Sequence, residues 1–170
     1  AEDLDATATA YVLSEAIRKI GEFDLVLCGR QASDWDNAHV PLVIAEMLGL
    51  PCITVAQKVE VAGDGLVVER AMADGYEVVE CALPAVVTVS NELGEPRYPT
   101  LRGIMTASRK APTIWGSEDL GLDPARLAPK LHVTDLFIPE IDQRCEFIEG
   151  EDEADAGRKL ALRLREENLL

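Results

Sequence analysis

Residues 24–51, DLVLCGRQASDWDNAHVPLVIAEMLGLP, constrain the fold more than any other stretch of the chain. The mostly apolar run DLVLCG ends at Gly29 and lacks alternation, which is typical of a strand buried on both faces of a parallel sheet. A polar loop follows, and VPLVIAEMLG then has helical spacing. Pro41 is tolerated only in the first turn of a helix, so this helix should begin close to Val40 and stop at Gly49 and Pro51. The order strand, polar loop, helix predicts an α/β fold.

The neighbouring segments fit the same architecture. ATATAYVLSEAIRKIG places Val12, Ala16 and Ile20 on one helical stripe, and Gly21 stands where a helix C-cap belongs. CITVAQKVEV indicates another strand, and the β-rich runs after it are separated by Gly-Asp-Gly and Ala-Asp-Gly turns, which are typical of hairpins. AVVTVS lacks alternation and should be central. We therefore predict a parallel-sheet core with an antiparallel hairpin insertion.

The chain changes character after Ser90. NELGEPRYPTLRGIMTASRKAP is punctuated by prolines, and Thr100 is placed to cap a short helix from Leu101 onward. CEFIEG is a candidate edge strand, and DEADAGRKLALRLREENLL has the spacing of an amphipathic helix. We divide the chain into an α/β nucleotide-binding domain, residues 1–150, and a C-terminal helical arm, residues 151–170.

The first predicted element is a helix, whereas an α/β domain usually opens with a strand whose β–α turn carries part of the ligand site. We therefore expect the N-terminal strands of the fold to be absent from this sequence. Part of a ligand pocket would then lie in segments before Ala1.

Charge and composition exclude several function classes. The chain has 16 basic and 31 acidic residues, a net charge of −15, which disfavours binding to nucleic acid and to anionic membranes. No apolar run approaches the roughly 18 residues of a membrane span, and the acidic start AEDLD is unlike a secretory signal. Four cysteines without a C-x-x-C pair and two histidines give poor support for a metal site. We expect reduced thiols in a cytoplasmic protein, without nucleic acid, metal or membrane insertion.

The loop GRQASDWDNAHV lies where open α/β sheets hold nucleotides, between the carboxyl end of a buried strand and a helix. Its main-chain N–H groups and Arg30 can bind phosphate, and Asp34, Asp36 and Asn37 can bind hydroxyl groups of a ligand. The same residue types also make turns and cap helices. The pattern alone leaves both interpretations open.

Three stretches carry a resemblance to a known family: GRQASDWDNAHVPLVIAEMLGLP, VVERAMADGYEVVECALPAVVTVSNELGEPRYPTLRGIMTASRK, and FIEG before a terminal helix. Together they resemble the β-subunit of electron transfer flavoprotein, in order and with similar spacing over nearly the whole chain. The most specific part is LPAVVTVSNELGEPRYPTLRGIM. The chain resembles the later two-thirds of such a subunit, with an adenine nucleotide alpha hydrolase-like fold.

The resemblance implies a carrier subunit rather than an enzyme. Such a β-subunit pairs with an α-subunit that carries the redox-active FAD, and the heterodimer moves electrons between dehydrogenases and an acceptor. The β-subunit itself binds AMP or, in electron-bifurcating members, a second FAD. The spacing D-x-D-x-A-x-V resembles bifurcating members, whereas Trp35 and Pro41 replace glycines that are common there.

The resemblance also assigns site residues. The nucleotide-binding segment carries over onto Gly29, Arg30, Gln31, Ala32, Ser33, Asp34, Asp36, Asn37, Ala38, His39 and Val40. EPRYPTLRGIM matches the loop that docks partner dehydrogenases, with Arg97, Tyr98 and the anchoring Leu101. Arg70 matches a position near the α-subunit interface, but Ala71 stands where many members have glutamate. Without docking, Leu101 would be a buried leucine at the start of a short helix.

Two other classes of α/β protein are weighed against the carrier subunit. An ATP-pyrophosphatase-like or adenylating enzyme needs a glycine- and serine-rich phosphate loop after its first strand, and these 170 residues contain none. A stand-alone adenine-nucleotide-binding protein of the stress type has a late G-x-x-G…G-S phosphate motif, which is also missing. The sequence therefore favours the electron transfer flavoprotein β-subunit.

Overall fold

A computed structural model describes residues 4–140 and 145–169, so the first three residues of the acidic start lie outside the described residues. Its contacts separate two units, Ala1–His132 and Val133–Leu170. The predicted domain boundary at residue 150 stays a prediction. The first unit contains α1 (Ala6–Ile20), β1 (Leu25–Gly29), α2 (Val40–Leu48), β2 (Cys52–Ala62), β3 (Gly65–Met72), β4 (Gly75–Ala82), β5 (Ala85–Val89), a 3-10 turn (Asn91–Leu93), α3 (Leu101–Ala107) and α4 (Pro124–Leu127), and the second contains α5 (Glu153–Glu166).

One mixed five-stranded sheet organises the first unit, in the order β1-β5-β2-β3-β4. Strand β5 pairs in parallel with both β1 and β2, while β3 pairs antiparallel with β2 and β4. Ala85 to Thr88 are buried, as expected for a central strand without alternation. The α/β class, the central position of β5 and the start of α2 at Val40 are confirmed.

A bulge in β2 separates the parallel part of the sheet from the antiparallel part. Ile53 pairs with Val87 and Ala56 with Val89, so the register shifts between them. Val55 lies in this bulge with φ of 58°, an outlier for a β-branched residue. Its N–H donates to Thr88 Oγ1 at 2.8 Å, which satisfies a donor that the bulge removes from the ladder.

The core is shared between the two parts of the sheet. Its fully enclosed side chains come from β2, β3 and β5, and they are Ile53, Ala56, Leu66, Val68, Ala85 and Val87. Burying one valine or leucine side chain contributes about 1.5–3 kcal/mol. The antiparallel strands are therefore part of the same core as β5.

Helix α1 buries a face different from the predicted stripe. Ala8, Tyr11 and Ser14 are buried, whereas Ile20 is 66 % exposed. Small side chains let α1 approach α2 closely, and the Ser14 hydroxyl, which donates to the Ala10 carbonyl at 2.7 Å, lies 3.7 Å from Met47 Sδ. The predicted helix is confirmed, and within its stripe Val12 and Ala16 are half-buried while Ile20 lies exposed at the end of the helix. The predicted C-cap at Gly21 is confirmed.

Residues 115–131 are fastened to α1. The Tyr11 hydroxyl accepts from the Asp123 N–H at 3.0 Å, and the Arg126 guanidinium lies 3.7 Å from the centre of the Tyr11 ring. Asp5 caps α1 by accepting from the Ala8 N–H at 2.8 Å. Its second oxygen accepts from the Lys130 N–H at 2.5 Å and from the Leu131 N–H at 3.2 Å. One carboxylate thus joins the start of α1 to a segment 125 residues away.

In the second unit, the predicted strand CEFIEG is wrong, because residues 145–150 have no strand partner among the described residues. This segment is instead joined to α5 by polar contacts. Arg163 Nε lies 3.1 Å from Glu146 Oε2, and Lys159 Nζ donates to the Glu149 carbonyl at 3.2 Å. The terminal amphipathic helix is confirmed as α5, whose first turn is capped by Asp152.

The Asp5 bridge yields a prediction. The Ala8 N–H and then the Lys130 N–H hold the pKa of Asp5 below its ordinary value of 3.8. Asp5→Asn can still cap α1, but its amide nitrogen cannot accept from Lys130. We expect faster amide exchange at Lys130 and Leu131 and unchanged exchange at Ala8.

The sign of the pH dependence follows from the lowered pKa. The stabilisation by Asp5 is complete above the unfolded pKa of about 3.9 and is lost as the pH falls through the folded pKa. The stability difference between the wild type and Asp5→Asn should therefore be constant near neutrality and shrink in acid. Asp24→Asn, at an exposed carboxylate, is the control. Equal exchange rates at residues 130 and 131 in both proteins would contradict the bridge.

Candidate functional site

The predicted nucleotide-binding loop starts at the carboxyl end of β1, which pairs with β5 at one end of the described sheet. The prediction that this strand is buried on both faces was wrong, because β1 has a neighbour on one side only and its Leu27 is 55 % exposed. Gly29 ends β1 opposite Val89, the last residue of β5. The Arg30 N–H donates to the Val89 carbonyl at 3.0 Å, which fixes the direction in which the chain leaves the sheet. The loop then runs over residues 30–39 to α2. Parallel strands present their carboxyl ends at one edge, which is the usual place for a ligand in an open α/β sheet.

Two hydrogen bonds from backbone N–H groups lie within the loop. The Asp36 N–H donates to the Ala32 carbonyl at 3.1 Å, and the Trp35 N–H donates to Asp34 Oδ1 at 2.9 Å. Asp36 and Ala38 have φ of 52° and 47°, left-handed values that are uncommon outside glycine. The Trp35 side chain is 56 % exposed, so its bulk points at least partly to solvent.

Helix α2 begins without a side-chain cap. Its N-cap residue, His39, has helical dihedrals and makes no capping hydrogen bond. Its ring Nε2 lies 3.4 Å from Thr7 Oγ1 instead. Among the α-helices of the described residues, the other four are each capped by a side chain, from Asp5, Thr100, Asp123 and Asp152. The interpretation of Asp34, Asp36 and Asn37 as helix caps is therefore not supported by the geometry.

The donors at this edge suit an anion. In the described part of the chain, no protein acceptor pairs with the amides of Gln31, Ala32 and Ser33, nor with those of Val40 and Leu42. Main-chain N–H groups and a helix N-terminus bind phosphate through their partial positive charge. Arg30 adds a full positive charge, while Asp34 and Asp36 oppose an anion. The residues present fit a phosphate group bound mainly by main chain.

Three of the four predicted docking residues, Arg97, Tyr98 and Leu101, are exposed. Tyr98 is 97 % exposed and Leu101 is 76 % exposed, while Arg97 is exposed as well. Leu101 starts α3, whose cap at Thr100 confirms the predicted helix start. The alternative of a buried Leu101 is excluded within the described residues. Exposed Ile104 extends the same apolar surface.

Arg70 is engaged inside the sheet. Its guanidinium donates to the Thr54 carbonyl at 3.3 Å and to Thr54 Oγ1 at 3.1 Å, and it pairs with Glu77 Oε2 at 3.0 Å. These contacts brace β2 immediately before the bulge at Val55. A role for Arg70 at a subunit interface stays a prediction, and any such role has to share the guanidinium with Thr54 and Glu77.

Sequence reasoning missed two hydroxyl residues on β5 and just after it. Thr88, 2 % exposed, holds the bulge through the Val55 N–H. Ser90 directly follows β5, and its Oγ is buried with no hydrogen-bond partner among the described residues. No sequence pattern distinguishes these two hydroxyls, because their roles depend on a neighbouring strand.

The thiols have structural environments. All four cysteines are free. Burial raises the pKa of Cys28 and of Cys52, so both are protonated at neutral pH and behave as small apolar side chains. Over residues 4–140 and 145–169, no cluster of three or more histidine, cysteine or acidic side chains is arranged to hold a metal ion. None of the helices described is long and apolar enough to cross a membrane.

Comparison with known proteins shows what the chain is similar to. Residues 1–120 match the family described as "Electron transfer flavoprotein domain". An electron transfer flavoprotein subunit beta from Thermoanaerobacterium thermosaccharolyticum is 46 % identical over 127 residues, 74 % of this chain and 48 % of the relative. The subunit of the same name from Bacillus subtilis is 36 % identical over 169 residues, 98 % of this chain and 65 % of the relative.

A further relative is CarD of Acetobacterium woodii, a subunit of the caffeyl-CoA reductase-Etf complex. It is 36 % identical over 169 residues, 98 % of this chain and 64 % of the relative. The chain thus spans about half to two-thirds of the length of the curated relatives it matches.

The uncapped start of α2 yields a prediction that separates capping from ligand binding. Asn37→Ala should leave amide exchange at Val43, which donates to the His39 carbonyl at 3.2 Å, nearly unchanged. Thr100→Ala is the matched control, because Thr100 does cap a helix. There we expect exchange at Ile104 to rise about fivefold, the equivalent of about 1 kcal/mol for a lost cap. A similar rise at Val43 in Asn37→Ala would restore the capping interpretation.

Proposed function

Because the chain belongs to the electron transfer flavoprotein family, with relatives named as its β-subunits, we propose that it is the β-subunit of a heterodimeric electron carrier. In this proposal an α-subunit carries the redox-active FAD, and the present chain binds an adenine nucleotide and docks dehydrogenases. The observation that carries the nucleotide-binding part is the polar loop from Gly29 to Val40, which leads from a parallel strand to an uncapped helix.

The role is that of a carrier subunit rather than of an enzyme. The relatives are named as electron transfer flavoprotein subunits, which are electron carriers, and this agrees with the sequence prediction. CarD is named as a subunit of a complex with a reductase. That name supports the proposal that the present chain also works beside a flavin-dependent dehydrogenase or reductase. Four free cysteines are compatible with the cytoplasm as its place of action.

We propose that the loop binds the nucleotide through its phosphate group first and through its ribose second. The amides of Gln31, Ala32 and Ser33 and the first turn of α2 would hold phosphate oxygens, with Arg30 adding charge. Asp36 and Asn37, both exposed, would accept from or donate to ribose hydroxyls. His39 and Ala38 complete the turn into α2, and Val40 starts it. A phosphate site made mainly of main chain suits a chain of net charge −15, because it needs few basic side chains.

The proposed phosphate site fits either of two nucleotides, AMP or FAD. AMP and FAD share the adenosine phosphate, so the same amides serve either molecule. FAD supplies redox chemistry when it is bound, and AMP does not. Trp35 stands where electron-bifurcating members commonly have glycine, and its side chain is 56 % exposed. We propose AMP or a second FAD as the ligand of this chain.

The docking surface is proposed to be the stretch from Arg97 to Ile104. Its apolar side chains are exposed on a short capped helix after two prolines, so the loop is stiff before any partner binds. Preorganised apolar anchors are typical of interface hot spots. Leu101 would enter a pocket on a dehydrogenase, with Arg97 and Tyr98 beside it.

The division of labour between subunits can be tested by colour. We expect the isolated chain to be colourless and without dehydrogenase activity, because the working flavin lies in the α-subunit. Coexpression with a family α-subunit should give a yellow complex that copurifies and accepts electrons from a dehydrogenase. A stoichiometric flavin spectrum from the isolated chain would contradict the division, and the absence of any complex would contradict the heterodimer.

Leu101→Ala tests docking. Removing one leucine from a partner pocket costs on the order of 2 kcal/mol, or about thirtyfold in affinity. We expect a higher apparent KM for the electron-donating dehydrogenase while the α-subunit still binds. Val78→Ala is the control, because Val78 is an exposed aliphatic residue on β4, 55 % exposed. Equal effects of the two substitutions would remove Leu101 from the proposed docking surface.

A further inference from the structure

Ser90, directly after β5, carries a buried hydroxyl group. Its Oγ is enclosed and has no hydrogen-bond partner in the part of the chain that the structure describes. Buried polar atoms almost always have a partner, since an unpaired one costs the free energy of its lost hydration. Ser90 also stands at the N-cap position of the 3-10 turn without capping it. The hydrogen bonds of the described residues therefore do not explain why this hydroxyl is buried.

Thr88 shows what a structural hydroxyl looks like at the same edge. Thr88 and Ser90 are two residues apart in extended backbone, so they lie on the same face of the sheet. Thr88 Oγ1 accepts from the Val55 N–H at 2.8 Å and so holds the bulge of β2. Ser90 makes no corresponding contact within residues 4–140 and 145–169. The Thr88 hydroxyl thus satisfies a backbone donor of the sheet, whereas the Ser90 hydroxyl has no partner among the described residues.

Ser90 lies level with the start of the candidate loop. Val89 pairs with Gly29, and the Val89 carbonyl accepts from the Arg30 N–H at 3.0 Å. Ser90, which follows Val89 of β5, is therefore level with Arg30, which follows Gly29 of β1. The same edge carries backbone with positive φ at Val55, Asp36 and Ala38. Backbone strain of this kind gathers at binding sites, where the surrounding structure maintains it.

We propose that Ser90 is a ligand-binding residue whose hydroxyl donates to a phosphate oxygen of the adenine nucleotide. This inference rests on the proposed nucleotide-binding function of the loop. Phosphate is favoured over ribose because Ser90 lies beside Arg30 and the first loop amides, where the phosphate is placed. A neutral hydroxyl adds a donor without adding to the negative charge of Asp34 and Asp36.

Because Ser90 Oγ is enclosed, a phosphate can reach it only when neighbouring backbone moves, and the adjoining loop is the segment proposed to do so. Residues 31–37 are exposed, and the internal hydrogen bonds seen in the loop are the two from the Asp36 and Trp35 amides. A loop with so few internal contacts can shift at small cost. Binding would then exchange an enclosed, unpaired hydroxyl for one that is paired with phosphate.

The test compares Ser90→Ala with Thr88→Val in the full 170-residue chain. Thermal unfolding and NMR titrations with AMP and with adenosine are measured for the wild type and Ser90→Ala, and unfolding alone is measured for Thr88→Val. We expect Ser90→Ala to leave the Tm unchanged or raised, since it removes an unpaired polar atom. Its affinity for AMP should fall about tenfold, the effect of a lost hydrogen bond to a charged group, while adenosine binds as before. Thr88→Val should lower the Tm by stranding the Val55 N–H.

The other outcomes overturn the inference in distinguishable ways. A lowered Tm in Ser90→Ala with unchanged AMP affinity would make the hydroxyl structural. An equal loss of affinity for adenosine and for AMP would show that the Ser90 hydroxyl contacts the ribose rather than the phosphate. If the wild type and Ser90→Ala bound AMP equally tightly, the role of Ser90 would be overturned and the nucleotide site would stand. A wild-type chain without any AMP-dependent shift would overturn nucleotide binding by these 170 residues, and this inference with it.

Discussion

The pairing of β5 with a parallel strand on each side is the constraint on which the rest of the first unit depends. Ala85 to Val87 are fully buried, so every peptide group of this strand has to find its partner in the sheet. Strands β1 and β2 satisfy that requirement, one on each edge. The connection between β1 and β2 must then cross β5, which places α2 against the sheet and its polar entry loop at the carboxyl edge.

The second constraint is the change from parallel to antiparallel pairing within β2. A long strand can serve β5 and β3 together only if its register shifts, and the shift falls at Val55. The displaced N–H of Val55 is satisfied by Thr88, and the Thr54 carbonyl is satisfied by Arg70. The bulge thus uses one side chain from each neighbouring strand. It also sets the edge beside which Ser90 lies.

The candidate site differs from the rest of the molecule in how its polar groups are satisfied. Elsewhere the helix starts are capped by short polar side chains, and Asp5 even bridges two segments. At α2 the donors face outward without a cap, beside a loop with left-handed dihedrals at Asp36 and Ala38. Unpaired donors and strained backbone at the carboxyl edge of a parallel sheet together favour a ligand site over a simple turn. The exposed Leu101 surface follows β5 along the chain, so the proposed docking segment and the proposed nucleotide-binding loop both begin where a parallel strand ends.

The sequence by itself determined the local features: the strand ending at Gly29, the helix starting at Val40, the caps at Gly21 and Thr100, and the central position of β5. These follow from steric rules over a few residues, such as the fixed φ of proline and the continuous apolar run of a strand without a wet face. The family resemblance added the assignment of the loop. The tertiary structure decided the rest. It buried Ala8, Tyr11 and Ser14 on α1 and joined Arg70 to Thr54. Within residues 4–140 and 145–169, it also left CEFIEG without a strand partner and the Ser90 hydroxyl without a hydrogen bond, while the Thr88 hydroxyl is paired. Each of these outcomes depends on a group far away in sequence, and no pattern of neighbouring residues records where that group will lie.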